Sequence, residues 1–178
     1  MKSSSHKRIG LYLAKKHFHD HAPIYIRAFM LGCVQPDKNP TTYLKGSIRC
    51  QWLRGHNYEN SYKYMSRLCR RIEKKKTLKL SDYYQLGKLM HYIADSFTYA
   101  HTRKFGKNLY CHRLYEQRLD VYLQKHISAV PLTKSVSANA EDVIQINRRA
   151  YCALPHSVSH DVYFSFTTCN EVLTLLLS

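Results

Sequence analysis

Five side chains able to hold a metal ion, His91, Asp95, His101, His112 and Glu116, lie within the runs HYIADSFTYAH and HRLYE. His91 and Asp95 are four residues apart, as are His112 and Glu116. At 3.6 residues per turn, each pair stacks on one face of a helix with both side chains aimed the same way. Imidazole and carboxylate are the usual ligands of a catalytic zinc, which needs three or four such donors and an open position for water. A single His-x-x-x-Asp arises by chance in many helices. Two such pairs, joined by a further histidine and embedded in apolar sequence, point to helices whose donor-bearing faces converge on a cleft.

The rest of the chain reads as helix too. Ile9, Leu11, Leu13 and Ala14 follow a serine-rich start and predict a first helix over about 6–17. Pro23 suits a first helical position and opens a second helix to about residue 31. Gly32 is expected to end it, and Pro36 and Pro40 mark a loop beyond. Residues 57–75 carry Tyr58, Tyr62, Met65, Leu68, Cys69 and Ile72 at helical spacing. Ser81 is the expected N-cap of a central helix that turns Leu86, Leu89, Met90 and Ile93 to the core. Further helices are predicted over about 109–126, 138–153 and 158–177, with Pro131 breaking the chain between the first two. No strand pattern or repeat stands out. The expected architecture is an all-α, single-domain multi-helix bundle over residues 1–178, with its metal site in an interhelical cleft.

Composition narrows the partners. Twenty-eight Lys and Arg against 12 Asp and Glu give a formal charge of +16 in 178 residues. That favours an anionic partner, either nucleic acid or a phospholipid surface, without separating the two. Any one basic run, such as residues 70–76, reads as a solvated helix end. Six cysteines stand without C-x-x-C spacing and resemble neither a zinc ribbon nor a disulfide framework. The basic N-terminus lacks the apolar run of a signal peptide, and no stretch of 18 apolar residues offers a membrane span. A cytoplasmic protein is expected, with peripheral membrane association open to it.

The motif resembles the core signature of the zinc-dependent phospholipase C family, whose superfamily includes the S1/P1-type nucleases. That signature is His-x3-Asp-x5-His followed by His-x3-Glu or His-x3-Asp, and LGKLMHYIADSFTYAHTRKF with HRLYEQRL matches at all five positions. Phe29 to Asp37 is similar to the family's LG…PD segment. His56 stands where its next histidine falls, and Ser5-His6 resembles its N-terminal Thr-His. The resemblance covers roughly residues 5 to 120.

It implies a trinuclear Zn2+ centre. One zinc would take Asp37, His56, His91 and Asp95, and a second His101, His112 and Glu116. A third would share Asp95 as a bridging carboxylate and take His6. Family members complete this third site with the amine and carbonyl of an N-terminal tryptophan. The only tryptophan here is Trp52, which leaves the Met1 amine as a candidate ligand. The family also often has proline where Tyr99 stands, so the turn into His101 is expected to differ. Asp37 takes the role of orienting or deprotonating the attacking water, and Asp95 is the structural bridge beside it. Three carboxylates against three divalent ions leave a net positive pocket, suited to a phosphodiester that gains negative charge as it is attacked.

Other residues read more plainly. His17-Phe18-His19-Asp20-His21 lies at a predicted helix end, where histidine suits the helix dipole. His126, His156 and His160 match no motif. The 15 tyrosines are mainly packing residues with a polar handle. Three functions stay open: a phospholipase C releasing diacylglycerol and a phosphorylated head group, a single-strand nuclease with aromatic platforms in a basic groove, and a non-catalytic zinc-binding helical protein.

Overall fold

The computed structural model describes residues 1–39, 56–106, 108–131 and 137–178. These form seven α-helices and three 3-10 turns, with no strand among the described residues. The helices are α1 (Ser3–His17), α2 (Pro23–Lys38), α3 (Tyr58–Glu73), α4 (Leu80–Ser96), α5 (Leu109–His126), α6 (Ala140–Ala153) and α7 (Val158–Leu177). The all-α expectation holds. Trp52, Cys50, Pro40 and the Arg54-Gly55 pair before His56 lie outside the described residues.

Four helices start on a polar side chain that accepts from the otherwise unpaired N–H groups of the first turn. Asn57 caps α3, Asn108 caps α5, Asn139 caps α6 and Ser157 caps α7. Helix α4 starts differently from the expected Ser81 cap. Its N-cap is Lys79, whose N–H donates to Asp82 Oδ2 at 2.9 Å. Asp82 also accepts from Lys75 Nζ at 2.6 Å, so a charged pair closes this end.

The expected boundary at Gly32 is wrong. Helix α2 continues to Lys38 and carries Pro36 inside it. A proline removes only the bond its own N–H would make and crowds the carbonyl four residues back, so in a last turn the damage is confined. Gly32 serves another purpose. A Cβ on it would fall against the Tyr84 carbonyl oxygen, and one on Gly87 would meet the Phe29 carbonyl oxygen. These glycines let α2 and α4 pack backbone to backbone. Asp37 therefore rides on a helix held tightly to the one that carries His91 and Asp95.

Helix α4 packs against α1, α2, α3 and α7, and every residue from Leu89 to Ser96 is buried. An element enclosed on all sides has no solvent face, which explains its apolar run. Helix α7 lies along it, with the Ser165 hydroxyl donating to the Ala94 carbonyl at 3.0 Å. Phe18, Phe29, Met65, Leu86, Leu89, Ile93, Phe97 and Phe166 are fully buried in the core. No helix of the described residues is long and apolar enough to cross a membrane.

Candidate metal centre

Met1 and the eight side chains singled out from sequence converge at the end of α4. His6 comes from α1, Asp37 from α2, His91 and Asp95 from α4, and His112 and Glu116 from α5. His101 closes the 3-10 turn Tyr99–His101, and His56 lies just ahead of α3.

Asp95 is the centre of the arrangement and is fully buried. Its Oδ2 faces His56 Nδ1 at 2.9 Å and His91 Nε2 at 3.3 Å. Its Oδ1 faces the Met1 amine at 2.5 Å, His6 Nε2 at 3.2 Å and His101 Nε2 at 3.6 Å. Asp37 Oδ1 adds to the first group, 3.5 Å from His91 Nε2 and 3.8 Å from His56 Nδ1. Glu116 Oε1 gathers the second, at 3.1 Å from His112 Nε2, 3.2 Å from His101 Nε2 and 3.1 Å from the Met1 amine. Donor atoms close enough to share an ion fall into two sets: His6, Asp37, His91 and Asp95, and His101, His112 and Glu116.

These donors fit a cation better than they fit one another. His6 Nε2 is buried and, although 3.2 Å from Asp95 Oδ1, makes no well-directed hydrogen bond, a costly state for a polar atom unless a ligand completes it. His91 Nδ1 lies 2.9 Å from the Cys33 carbonyl oxygen and donates its proton there, which turns the Nε2 lone pair inward. That lone pair faces His56 Nδ1 at 3.3 Å. His6 stacks on His91 with ring centroids 3.8 Å apart, so the two imidazoles fix each other's planes.

Burial, then the neighbouring His91, lowers His6 to about 4 and keeps it neutral, the form that ligates metal. His101 is likewise lowered, chiefly by burial. Burial opposes charge on Asp95, yet His101, the Met1 amine, His6 and His91 hold its carboxyl well below the usual range. Glu116 is depressed in the same way, by the Met1 amine and its bonds to His101 and His112 against the effect of burial. Burial also opposes charge on the Met1 amine, but Asp95 and Glu116 outweigh it and raise the group to about 10. In the metal-free centre this ammonium is the internal counter-ion.

Several supporting groups escaped sequence reasoning. Ser3 Oγ donates to Asp37 Oδ2 at 2.7 Å, from the same face of α1 as His6. Asp161, buried in α7, accepts from Tyr99 N–H at 2.7 Å, Tyr115 Oη at 2.9 Å and Tyr151 Oη at 2.8 Å. It thereby ties the His101 turn and the residue before Glu116 to α6 and α7. A lone acidic residue in the apolar run DVYFSF was the available signal. His156 stacks on Tyr99 at 4.1 Å beneath the same turn. His17 bonds Asn170 at 3.0 Å, and His19 pairs with Asp20 on the surface, both apart from the cluster.

A helical bundle that closes two carboxylates and five imidazoles around a third, buried carboxylate is, by its chemistry, an all-α protein whose His and Asp/Glu clusters could hold metal. Its sequence matches the zinc-dependent phospholipase C family over residues 5–165 of 178, and the chain belongs to that family. The match runs past residue 120, where the resemblance was expected to stop, through α6 and into α7 as far as Ser165. No curated protein and no solved structure matches the chain.

Proposed function

We propose that this chain is a zinc-dependent phosphodiesterase that hydrolyses a glycerophospholipid to diacylglycerol and a phosphorylated head group. The observation that carries this reading is the two-sided Asp95, whose oxygens each face a different set of nitrogen donors. Family membership supplies the reaction class. Residues 1–178 would act as one such domain. Asp37, His56, His91 and Asp95 would hold one ion, His101, His112 and Glu116 a second, and His6, Asp95 and the Met1 amine a third. When bound, zinc supplies hydroxide at neutral pH and a clamp on the phosphoryl oxygens.

The chain's own groups divide the remaining work. Asp37 keeps 12% of its side chain exposed, whereas Asp95 keeps none. Asp37 is thus the carboxylate that can accept a proton from a water entering with the substrate, with Ser3 Oγ holding its other oxygen. Asp95 stays behind as the bridge. The Met1 ammonium must give up its proton before it can ligate, so loading the third ion would release a proton.

Elemental analysis of protein purified without chelator should find three zinc ions per chain. Release of the phosphorylated head group from phospholipid should follow zinc content. Asp95→Asn should lose the bridged pair of ions and lower the rate at least about a hundredfold, since a residue acting with its neighbours as one unit is not replaced piecemeal. Full metal content and full rate in that variant would sink the bridge. A native chain that takes up no added zinc would sink the whole reading.

A further inference from the structure

The cluster opens to solvent beside α5. His112 keeps 30% of its side chain exposed, more than Glu116, His101 or Asp37, and far more than the buried Asp95. Leu109, His112 and Glu116 are spaced i, i+3, i+7 and so share one helical face. The face that turns two donors inward therefore carries Leu109 at its open end, one turn before His112. Leu109 and Tyr110 are each 74% exposed. Four of the ten exposed large apolar side chains among the described residues sit on α5, although it is one of seven helices. Such clustering, unlike scattered single residues, marks a contact surface. Tyr110, Leu114 and Val121 continue it along the outer side of the helix.

The surroundings carry one sign of charge. From Arg103 to Arg118 the only acidic residue is Glu116, and it faces the cluster. Arg103, Lys104 and Arg113 are exposed on the segments that flank Leu109 and Tyr110 in sequence. Exposed apolar side chains flanked in sequence by exposed cations suit an interface with an apolar interior and an anionic surface. A tyrosine beside a leucine fits the same place, with an apolar ring and a hydroxyl that stays in the wet layer.

We propose that the start of α5 and the Arg103–Phe105 turn form a docking surface for an anionic phospholipid bilayer, which seats the His112 side of the cluster on the membrane. This deepens the phospholipid reading above and rests on it for the identity of the lipid. Leu109 and Tyr110 enter the acyl boundary. Arg103, Lys104 and Arg113 meet the lipid phosphates.

Sedimentation with vesicles, run in chelator so that no lipid is consumed, tests the surface apart from the chemistry. The native chain should partition at least about tenfold more strongly onto phosphatidylcholine–phosphatidylglycerol vesicles than onto phosphatidylcholine alone, and less so in high salt. Leu109→Ser with Tyr110→Ser should reduce partitioning onto the anionic vesicles about tenfold or more, with helix content unchanged and, in a separate measurement without chelator, zinc content unchanged. Arg103→Gln with Lys104→Gln should remove most of the salt-sensitive part. Equal sedimentation of the native and Leu109/Tyr110 variant chains would overturn the proposal, as would a native chain that ignores anionic vesicles at low salt. A variant that changes only the oligomeric state on size exclusion would assign the patch to a second copy of the chain and overturn it too. Hydrolysis of a short-chain soluble phospholipid without vesicle binding would leave the phospholipase reading standing and the docking surface refuted. Binding without hydrolysis by the zinc-loaded chain would do the reverse.

Discussion

At the scale of single residues, Asp161 shows how a group outside the cluster can shape it. Burial pushes its carboxyl up to about 6, even though three donors stabilise its ionised form. The residue it holds most directly is Tyr99, whose backbone N–H supplies one of those bonds. A proline at this position could not make it, so Tyr99 lets the backbone itself brace the His101 turn. Asp161→Ala would leave the Tyr99 N–H and the Tyr115 and Tyr151 hydroxyls without their acceptor. Metal-free protein should then lose about 3 kcal/mol or more of stability in urea denaturation, given the cost of several stranded buried donors. Zinc should be lost first from the His101, His112 and Glu116 set. A variant with native stability and a full zinc complement would show the bonds to be incidental.

Among whole elements, the pairing of α2 with α4 sets the geometry. Gly32→Ala would drive a methyl group into the Tyr84 carbonyl and prise the helices apart. A loss of about 1–3 kcal/mol is expected from the overpacking alone. The ion held between Asp37 and the α4 donors should weaken more than the one at His112. Competition with a chelator of known affinity would resolve the two, and equal weakening would deny α2 a separate part. This helix is also where sequence reasoning erred. Gly32 and Pro36 carried the usual marks of a helix end, but close approach to Gly87 required the glycine, and tertiary packing outweighed the proline. The limits of α5 and α7 were legible because strong polar caps and a clear apolar period agree there. The nine proposed donors were legible from helical spacing only at His91, Asp95, His112 and Glu116; the others came from the order of motifs in the family resemblance. Ser3, Asp161 and the Cys33 carbonyl were not, because each acts through a contact that no local pattern encodes.

For the molecule as a whole, the buried titratable groups set how stability varies with pH. In metal-free protein, His6 at about 4 lies below the ~6.5 of an unfolded imidazole. The folded state therefore binds fewer protons between those values. Stability from this residue is intact at pH 7 and falls by about 3 kcal/mol as pH drops from about 6.5 to 4. Asp95 and Glu116, both depressed, add to the acid loss at lower pH. The Met1 amine acts in the opposite sense. Raised to about 10 from 8.0, it stabilises fully below pH 8 and loses that contribution as pH climbs through 10. Urea midpoints measured in chelator should form a plateau near neutrality with a fall on each side. His6→Gln should flatten the upper part of the acid limb. An acid limb that His6→Gln leaves unchanged would assign that loss to other groups.

The brace at Asp161 also gives the centre a place in time. The proposed donors lie between Met1 and Glu116, whereas Asp161 belongs to α7, the last of the described helices. During synthesis the donors leave the ribosome well before the element that holds the His101 turn in position. A zinc ion meeting the nascent chain would find ligands without a frame, free to grip it in any combination. If the chain binds zinc as proposed, correct loading would follow the docking of α7 rather than precede it.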